Sequence, residues 1–229
     1  MNTMNRLVKI VACLLFSMNA SAQNKCDWGI EGGPNISTFI VKNNKGSYPG
    51  NHVFGSAGFT FQYNFTKLLA LRTGFSYQQK GYQFHDVFFD NPAGNGYVKG
   101  DLISRFDYIS LPLLVKASFG KKVQFFVNAG PYIAYLLQKR EREKIAGDDP
   151  VQTYRKVSGL QHGDFGVAGG IGITIPVKAH WLISLEARDY LGLLNLNTVN
   201  YTNEKDPPKS YTHTLDFRIG LAYRMGSGE

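Results

Sequence analysis

The chain has 229 residues, 43% of them hydrophobic and 18% charged, a balance that excludes a disordered protein. Aromatics reach 14%, with 16 Phe, 13 Tyr and 25 Gly, a mix that favours strands and turns over helices. No internal stretch has the 18 or more uninterrupted apolar residues of a membrane helix, and the formal charge of +8 reads as a solvated loop surface able to meet anionic groups. No nucleic-acid partner is expected.

The N-terminus has the three parts of a secretory signal. Arg6 and Lys9 give a positive start, Ile10 to Phe16 a short apolar core, and Ala20-Ser21-Ala22 a small-residue cleavage site. Residues 1–22 are therefore expected to be removed, leaving residues 23–229 as one domain. Cys13 lies inside the apolar core and is not read as a lipoprotein site. Cys26 is then the sole remaining cysteine, which rules out an intrachain disulfide.

Eight runs with a period of two follow in chain order. They are Trp28 to Phe39, Phe54 to Phe65, Leu69 to Tyr82, Arg105 to Phe119, Val123 to Leu137, His162 to Lys178, Trp181 to Leu194 and Thr212 to Met225. In the second, Ala57, Phe59, Phe61 and Tyr63 alternate with Ser56, Gly58, Thr60 and Gln62. Recurrent Gly and Pro disfavour helix. Pro112 and Pro131 fall inside predicted strands, where each needs an edge or a bulge.

The links alternate in length. Residues 66–68, 120–122 and 176–180 are short, whereas 40–53, 83–104, 138–163 and 195–211 are long and polar. An up-and-down antiparallel barrel gathers the short turns at one end and the long loops at the other, the plan of bacterial outer-membrane barrels. A lipocalin-like soluble barrel also alternates. Two features favour the membrane form. The polar faces carry Gly, Ser, Thr, Asn and Gln rather than Lys and Glu, which suits a narrow lumen filled by side chains. Aromatics also gather near strand ends, at Phe54, Phe65, Tyr82, Tyr108, Phe119, Tyr135, Trp181, Tyr190 and Tyr223, as interfacial girdles do.

The fold class is thus all-β, an eight-stranded antiparallel transmembrane barrel. Its inward candidates are Arg72, Lys116, Asp164, Glu186, Arg188, Asp216 and Arg218. Charges in a narrow lumen must be paired, so these residues are expected to form a structural ladder of ion pairs that plugs the barrel.

Four segments carry a family resemblance: YISLPLLVKASFG (Tyr108 to Gly120), FFVNAGPYIAYLL (Phe125 to Leu137), GDFGVAGGIGITI (Gly163 to Ile175) and LEARDYLGLLNL (Leu185 to Leu196). In order and spacing they resemble the PorT-like outer-membrane β-barrel family of Bacteroidetes, also called putative porins. The resemblance implies the outer membrane of a Gram-negative cell. Its founding member is associated with type IX secretion and protease export. One departure is the continuation past Tyr223 as RMGSGE, where such barrels commonly end on an aromatic. Tyr223 or Met225 takes that role, or the tail is unusual.

Other chemistry is weaker. The Gly-rich stretch HGDFGVAGGIGITIPVK (His162 to Lys178) lacks the following helix that a phosphate loop needs. His52, His85, His162, His180 and His213 show no metal spacing. No catalytic residue, cofactor or metal is assigned. A lipid-modifying enzyme is the rival reading, because His213, Ser210 and Asp216, with His85 and Asp86, fall near one rim. QKREREKIAGDDP (Gln138 to Pro150) reads as a solvated hairpin extension, with a lipopolysaccharide-contacting loop as its alternative. Expected partners are outer-membrane lipid and lipopolysaccharide, with envelope or secretion-complex proteins beside them. A structural or interaction role, a small channel and support of secretion all stay open.

Overall fold

The computed structural model describes residues 26–43, 48–90, 96–145, 151–155, 161–177, 180–197 and 207–225. The expected signal segment, residues 1–22, lies outside them, as does the GSGE end of the tail. Nine strands are present among the described residues: β1 (Cys26–Lys42), β2 (His52–Asn64), β3 (Leu69–Asp90), β4 (Tyr97–Phe119), β5 (Gln124–Ile145), β6 (Val151–Arg155), β7 (Gly163–Pro176), β8 (Trp181–Gly192) and β9 (Lys209–Met225). All pairings are antiparallel. Eight strands run β1-β2-β3-β4-β5-β7-β8-β9, and the β1–β9 ladder, from Cys26↔Met225 to Lys42↔Lys209, closes the ring. The short β6 pairs only with the far end of β5.

Period two sorts the side chains. Ile30, Phe59, Phe75, Val115, Ile133, Ile171 and Ile219, from seven different strands, are each more than half exposed and point outward. With Leu185 of β8 they make a continuous apolar belt, the signature of a surface solvated by lipid. At the short-turn end the belt is edged by Phe65, Phe119, Trp181 and Tyr223, with the Trp181 and Tyr223 rings in edge contact at 5.3 Å. The assignment of all nine named aromatics to girdles needs correction. Tyr108 and Tyr190 are buried inside, and Tyr82 packs on the same interior cluster. Their parity within the strand, not their nearness to its end, decides the face.

The short turns are tight. Thr66 Oγ1 accepts from the Leu68 and Leu69 amides at 3.1 and 2.9 Å. Gly120 has φ +110°, where a Cβ would strike the Val123 carbonyl. At the other end the strands outrun their predicted limits. Most of 83–104 and the segment 138–145 are strand, not loop, and pair from Gly81↔Arg105 to Asp90↔Tyr97 and from Asp107↔Gln138 to Gly100↔Ile145. The solvated-hairpin reading of 138–145 agrees with this. Residues 146–150 lie outside the described set. The hydrophobic period fades there because neither lipid nor core sorts the side chains. Two bulges re-aim the extension, one between Asp107 and Tyr108 and one between Phe84 and Val87, where Asp86 has φ 56°.

The prolines are accommodated without an edge or a bulge. Beside Pro112 the β3–β4 ladder steps from Thr73↔Leu113 to Ser76↔Ser110, and beside Pro131 the β4–β5 ladder steps from Pro112↔Tyr132 to Val115↔Ala129. Pairing lapses for two residues and resumes in the same register. A ring with many ladders holds the register that one missing donor would loosen in a hairpin.

Candidate functional site

The barrel interior concentrates the polar chemistry of this chain. All seven predicted inward residues are buried: Arg72, Lys116, Asp164, Glu186, Arg188, Asp216 and Arg218. Six of them enter ion pairs. At mid-height Glu31 of β1 receives Arg72 of β3, Arg188 of β8 (3.3 Å) and Arg218 of β9 (2.5 Å). Glu186 receives Arg72 at 2.8 Å, Arg188 at 2.7 Å and the Asn128 amide at 2.8 Å. Asp216 takes Arg218 at 2.6 Å, with Ser56 and Gln78 at 2.9 and 3.1 Å.

In the ring of eight, β3 and β8 are four places apart, so the Arg72–Glu186 contact spans the full diameter. One layer nearer the long-loop end, Lys80 of β3 reaches Asp164 of β7 at 2.9 Å. Asp164 also accepts from Tyr132 (3.1 Å) and Thr212 (2.8 Å), and the Lys80 ammonium lies 4.7 Å from the Tyr132 ring centroid. Tyr108 and Tyr190 flank the Lys80 ammonium, 5.2 and 5.9 Å from their ring centroids, and Phe39, Phe106, Leu136 and Leu196 continue this apolar cluster toward the long-loop end. Near the short-turn mouth Asp27 is held by Arg224 at 2.9 Å and Gln62 at 3.2 Å. A cavity of about 30 Å³ beside Arg72 and Lys116 has room for about one water molecule.

Two expectations need correction. Among the described residues Lys116 joins no ion pair. Its ammonium donates to Gln62 Oε1 at 3.1 Å and sits 4.1 Å from the Phe126 ring centroid, so a cation–π contact and an amide replace the expected anion. The proposed rim constellation is also split. His213 faces outward and meets Asp189 at 2.9 Å, whereas Asp216 is buried inside with Arg218, and Ser210 shares the parity of Asp216. Residues 210, 213 and 216 cannot share a face in a strand of period two. His85 pairs instead with Asp101 at 3.1 Å, and Asp86 with Lys99 at 3.8 Å.

Sequence reasoning missed Glu31, the anion with most arginine partners, and Lys80. The signal for Glu31 was present: Asp27, Glu31, Asn35 and Ser37 share one parity of β1, opposite Trp28, Ile30 and Ile36. Lys80 continues the inward row Arg72, Gly74, Ser76, Gln78. The bare face of the Gly-rich strand β7 is covered by its neighbours. A Cβ on Gly172 would lie 2.5 Å from the Phe126 ring, and one on Gly170 would lie 2.8 Å from Glu186 Oε1.

Residues 20–197 match the family model described as an outer membrane protein beta-barrel domain. No curated protein matches the chain. Among solved structures, the outer membrane protein OprG of Pseudomonas aeruginosa is similar at 15% identity and TM-score 0.46, over 90% of this chain and 99% of that one. Ail, the attachment invasion locus protein of Yersinia pestis, is similar at 12% identity and TM-score 0.39, over 87% and 99%. Neisserial surface protein A is similar at 12% identity and TM-score 0.43, over 86% and 96%.

Proposed function

Because the chain belongs to the family of outer-membrane β-barrel domains, we propose that it is a sealed, non-conducting barrel that serves the envelope through its outer and external surfaces. The observation that carries this reading is the Arg72–Glu186 pair at 2.8 Å between opposite walls of the ring. A side-chain bridge across the diameter occupies the path a solute would take. The Lys80–Asp164 pair braces the next layer, and the apolar cluster around it continues toward the long-loop end. Eight strands leave an interior just wide enough for side chains to fill. Arginines locked onto carboxylates open only at the cost of stranding buried charge.

Purified protein in planar bilayers is expected to give no steady conductance. A stable open level in the wild type would defeat the proposal. The non-enzymatic reading draws support from the split of Ser210, His213 and Asp216 between two faces. Incubation with phospholipid or lipopolysaccharide is expected to yield no deacylated product.

Support of type IX secretion is the finer reading implied by the PorT-like segments. The extension formed by β3, β4, β5 and β6 beyond the belt offers a surface for such an envelope complex. Deletion of the gene, followed by assay of exported proteins in the periplasm, tests it. Retention of cargo supports the secretion role, and normal export removes it.

A further inference from the structure

The buried charges of the lumen pair off with one exception. At mid-height Arg72, Arg188 and Arg218 meet Glu31, Glu186 and Asp216. One layer toward the long loops Lys80 meets Asp164, and at the short-turn mouth Arg224 meets Asp27. Lys116 of β4 is left over. It is 5% exposed, and among the described residues no carboxylate pairs with it. An ammonium carries three N–H groups. Gln62 Oε1 accepts one of them at 3.1 Å, and the Phe126 ring centroid lies 4.1 Å away. Gln62 is held in that orientation, because its amide nitrogen donates to Asp27 at 3.2 Å and Asn64 at 2.7 Å. An amide oxygen and a ring face solvate the cation but do not cancel its charge.

Lys116 borders the 30 Å³ cavity near the short-turn mouth, together with Arg72, Arg224, Gln124, Thr174 and Ser184. Thr174 is equally buried, at 5%, and its Oγ1 has no hydrogen-bond partner among the described residues. The one carboxylate on this wall is Asp27, which Arg224 already holds at 2.9 Å. The cavity therefore gathers an uncompensated ammonium and an unused hydroxyl. A water would satisfy the hydroxyl and leave the charge. An unpaired buried charge is much the costlier of the two. Room for about one water also admits a monatomic ion of similar size and shuts out phosphate, sulfate and carboxylates. Arg224, 30% exposed, marks the side from which a small ion can enter.

We propose that this cavity binds one monatomic halide, with chloride as the ion a cell would supply. The Lys116 ammonium provides the charge, and the Thr174 hydroxyl donates its hydrogen to the ion. The chain thus borrows its missing lumen anion from the solvent at the mouth.

The test unfolds the full barrel in lipid vesicles with urea while chloride replaces gluconate at constant ionic strength. Wild type is expected to gain stability with chloride. Above the dissociation constant, each tenfold rise in chloride should raise the folding constant about tenfold, the signature of one bound ion. Lys116→Met should fold, as the gel mobility of unheated samples checks, and lose the chloride response. Thr174→Val keeps the shape and the charge, and should weaken chloride binding about fivefold, the loss of one hydrogen bond. Nitrogen NMR of the Lys116 side chain should show an ammonium at neutral pH in chloride. A wild-type midpoint indifferent to chloride would overturn the proposal, as would an equal response in Lys116→Met. A neutral amine at Lys116 in chloride would also overturn it, because the lysine would then shed its charge in place of binding an ion. An unchanged response in Thr174→Val would remove the cavity as the site.

Discussion

Two ionic clusters in this barrel have opposite designs. The interior cluster gathers Glu31, Arg72, Glu186, Arg188, Asp216 and Arg218 from β1, β3, β8 and β9, balances its charges and excludes solvent. The exterior cluster gathers Arg105, Asp107 and Arg140 from β4 and β5 alone, and its two guanidiniums stay about one-third exposed. Desolvation explains the contrast. A charge in the lumen has no water to fall back on and must be neutralised by its own chain. A charge at the membrane surface can be completed by solvent. The inner cluster is therefore a brace sealed from water, and the outer one keeps its guanidiniums in contact with solvent.

The comparison breaks most severely at Glu31. Glu31→Ala leaves three arginines facing one another with one anion fewer, and removal of one partner from a buried pair costs about 3–5 kcal/mol. The urea midpoint of the barrel in lipid vesicles should fall accordingly, with an unchanged slope. A loss below about 1 kcal/mol would mean that water reaches the lumen and that the brace is ornamental. The next largest effect belongs to Gly172→Leu. Its Cβ alone would lie 2.5 Å from Phe126, so the side chain overfills the interior and should cost about 1–3 kcal/mol or block folding. Folding yield on unheated gels reports both outcomes. The exterior counterpart of Glu31 is Asp107. Asp107 is itself buried, but Asp107→Asn leaves two arginines that still meet solvent, so a loss of about 1–2 kcal/mol, smaller than that of Glu31→Ala, is expected. An Asp107→Asn loss equal to that of Glu31→Ala would erase the distinction between the clusters.

The sequence carried the ring and the faces because alternation is enforced wherever one side meets lipid and the other a filled lumen. Ile171 and Gly172 differ by one residue and face opposite solvents. That is why parity alone places Arg188 and Asp216 inward. Legibility faded where the two solvents no longer differ. From 83 to 104 and from 138 to 145 both faces meet polar surroundings, so strands read as loops. Partner choice was hidden for another reason. Parity tells that Asp164 points inward, but not that Lys80, three places around the ring, will meet it. Glu31 was legible and passed over, because the glycines at 29, 32 and 33 drew attention from the acidic row they interrupt. The aromatics show the converse error. Closeness to a strand end suggested a girdle for Tyr108 and Tyr190, while their parity already assigned them to the lumen.

The smallest expected effect sharpens the comparison furthest, because it comes from the same strand as the largest steric one. Gly169 of β7 has outward parity, between Val167 and Ile171. A Cβ there would meet only the Asn128 carbonyl oxygen, at 3.7 Å, an ordinary contact. Leucine at 169 would project into lipid, where it adds apolar surface to the belt and removes nothing from the lumen. Gly169→Leu should therefore shift stability by less than about 0.5 kcal/mol in the same urea experiment. Three residues separate it from Gly172, with the backbone, strand and introduced side chain held constant. A difference between the two variants isolates the face as the cause. If Gly169→Leu were as damaging as Gly172→Leu, the penalty would belong to the glycine backbone of β7 and not to the crowding of a sealed interior.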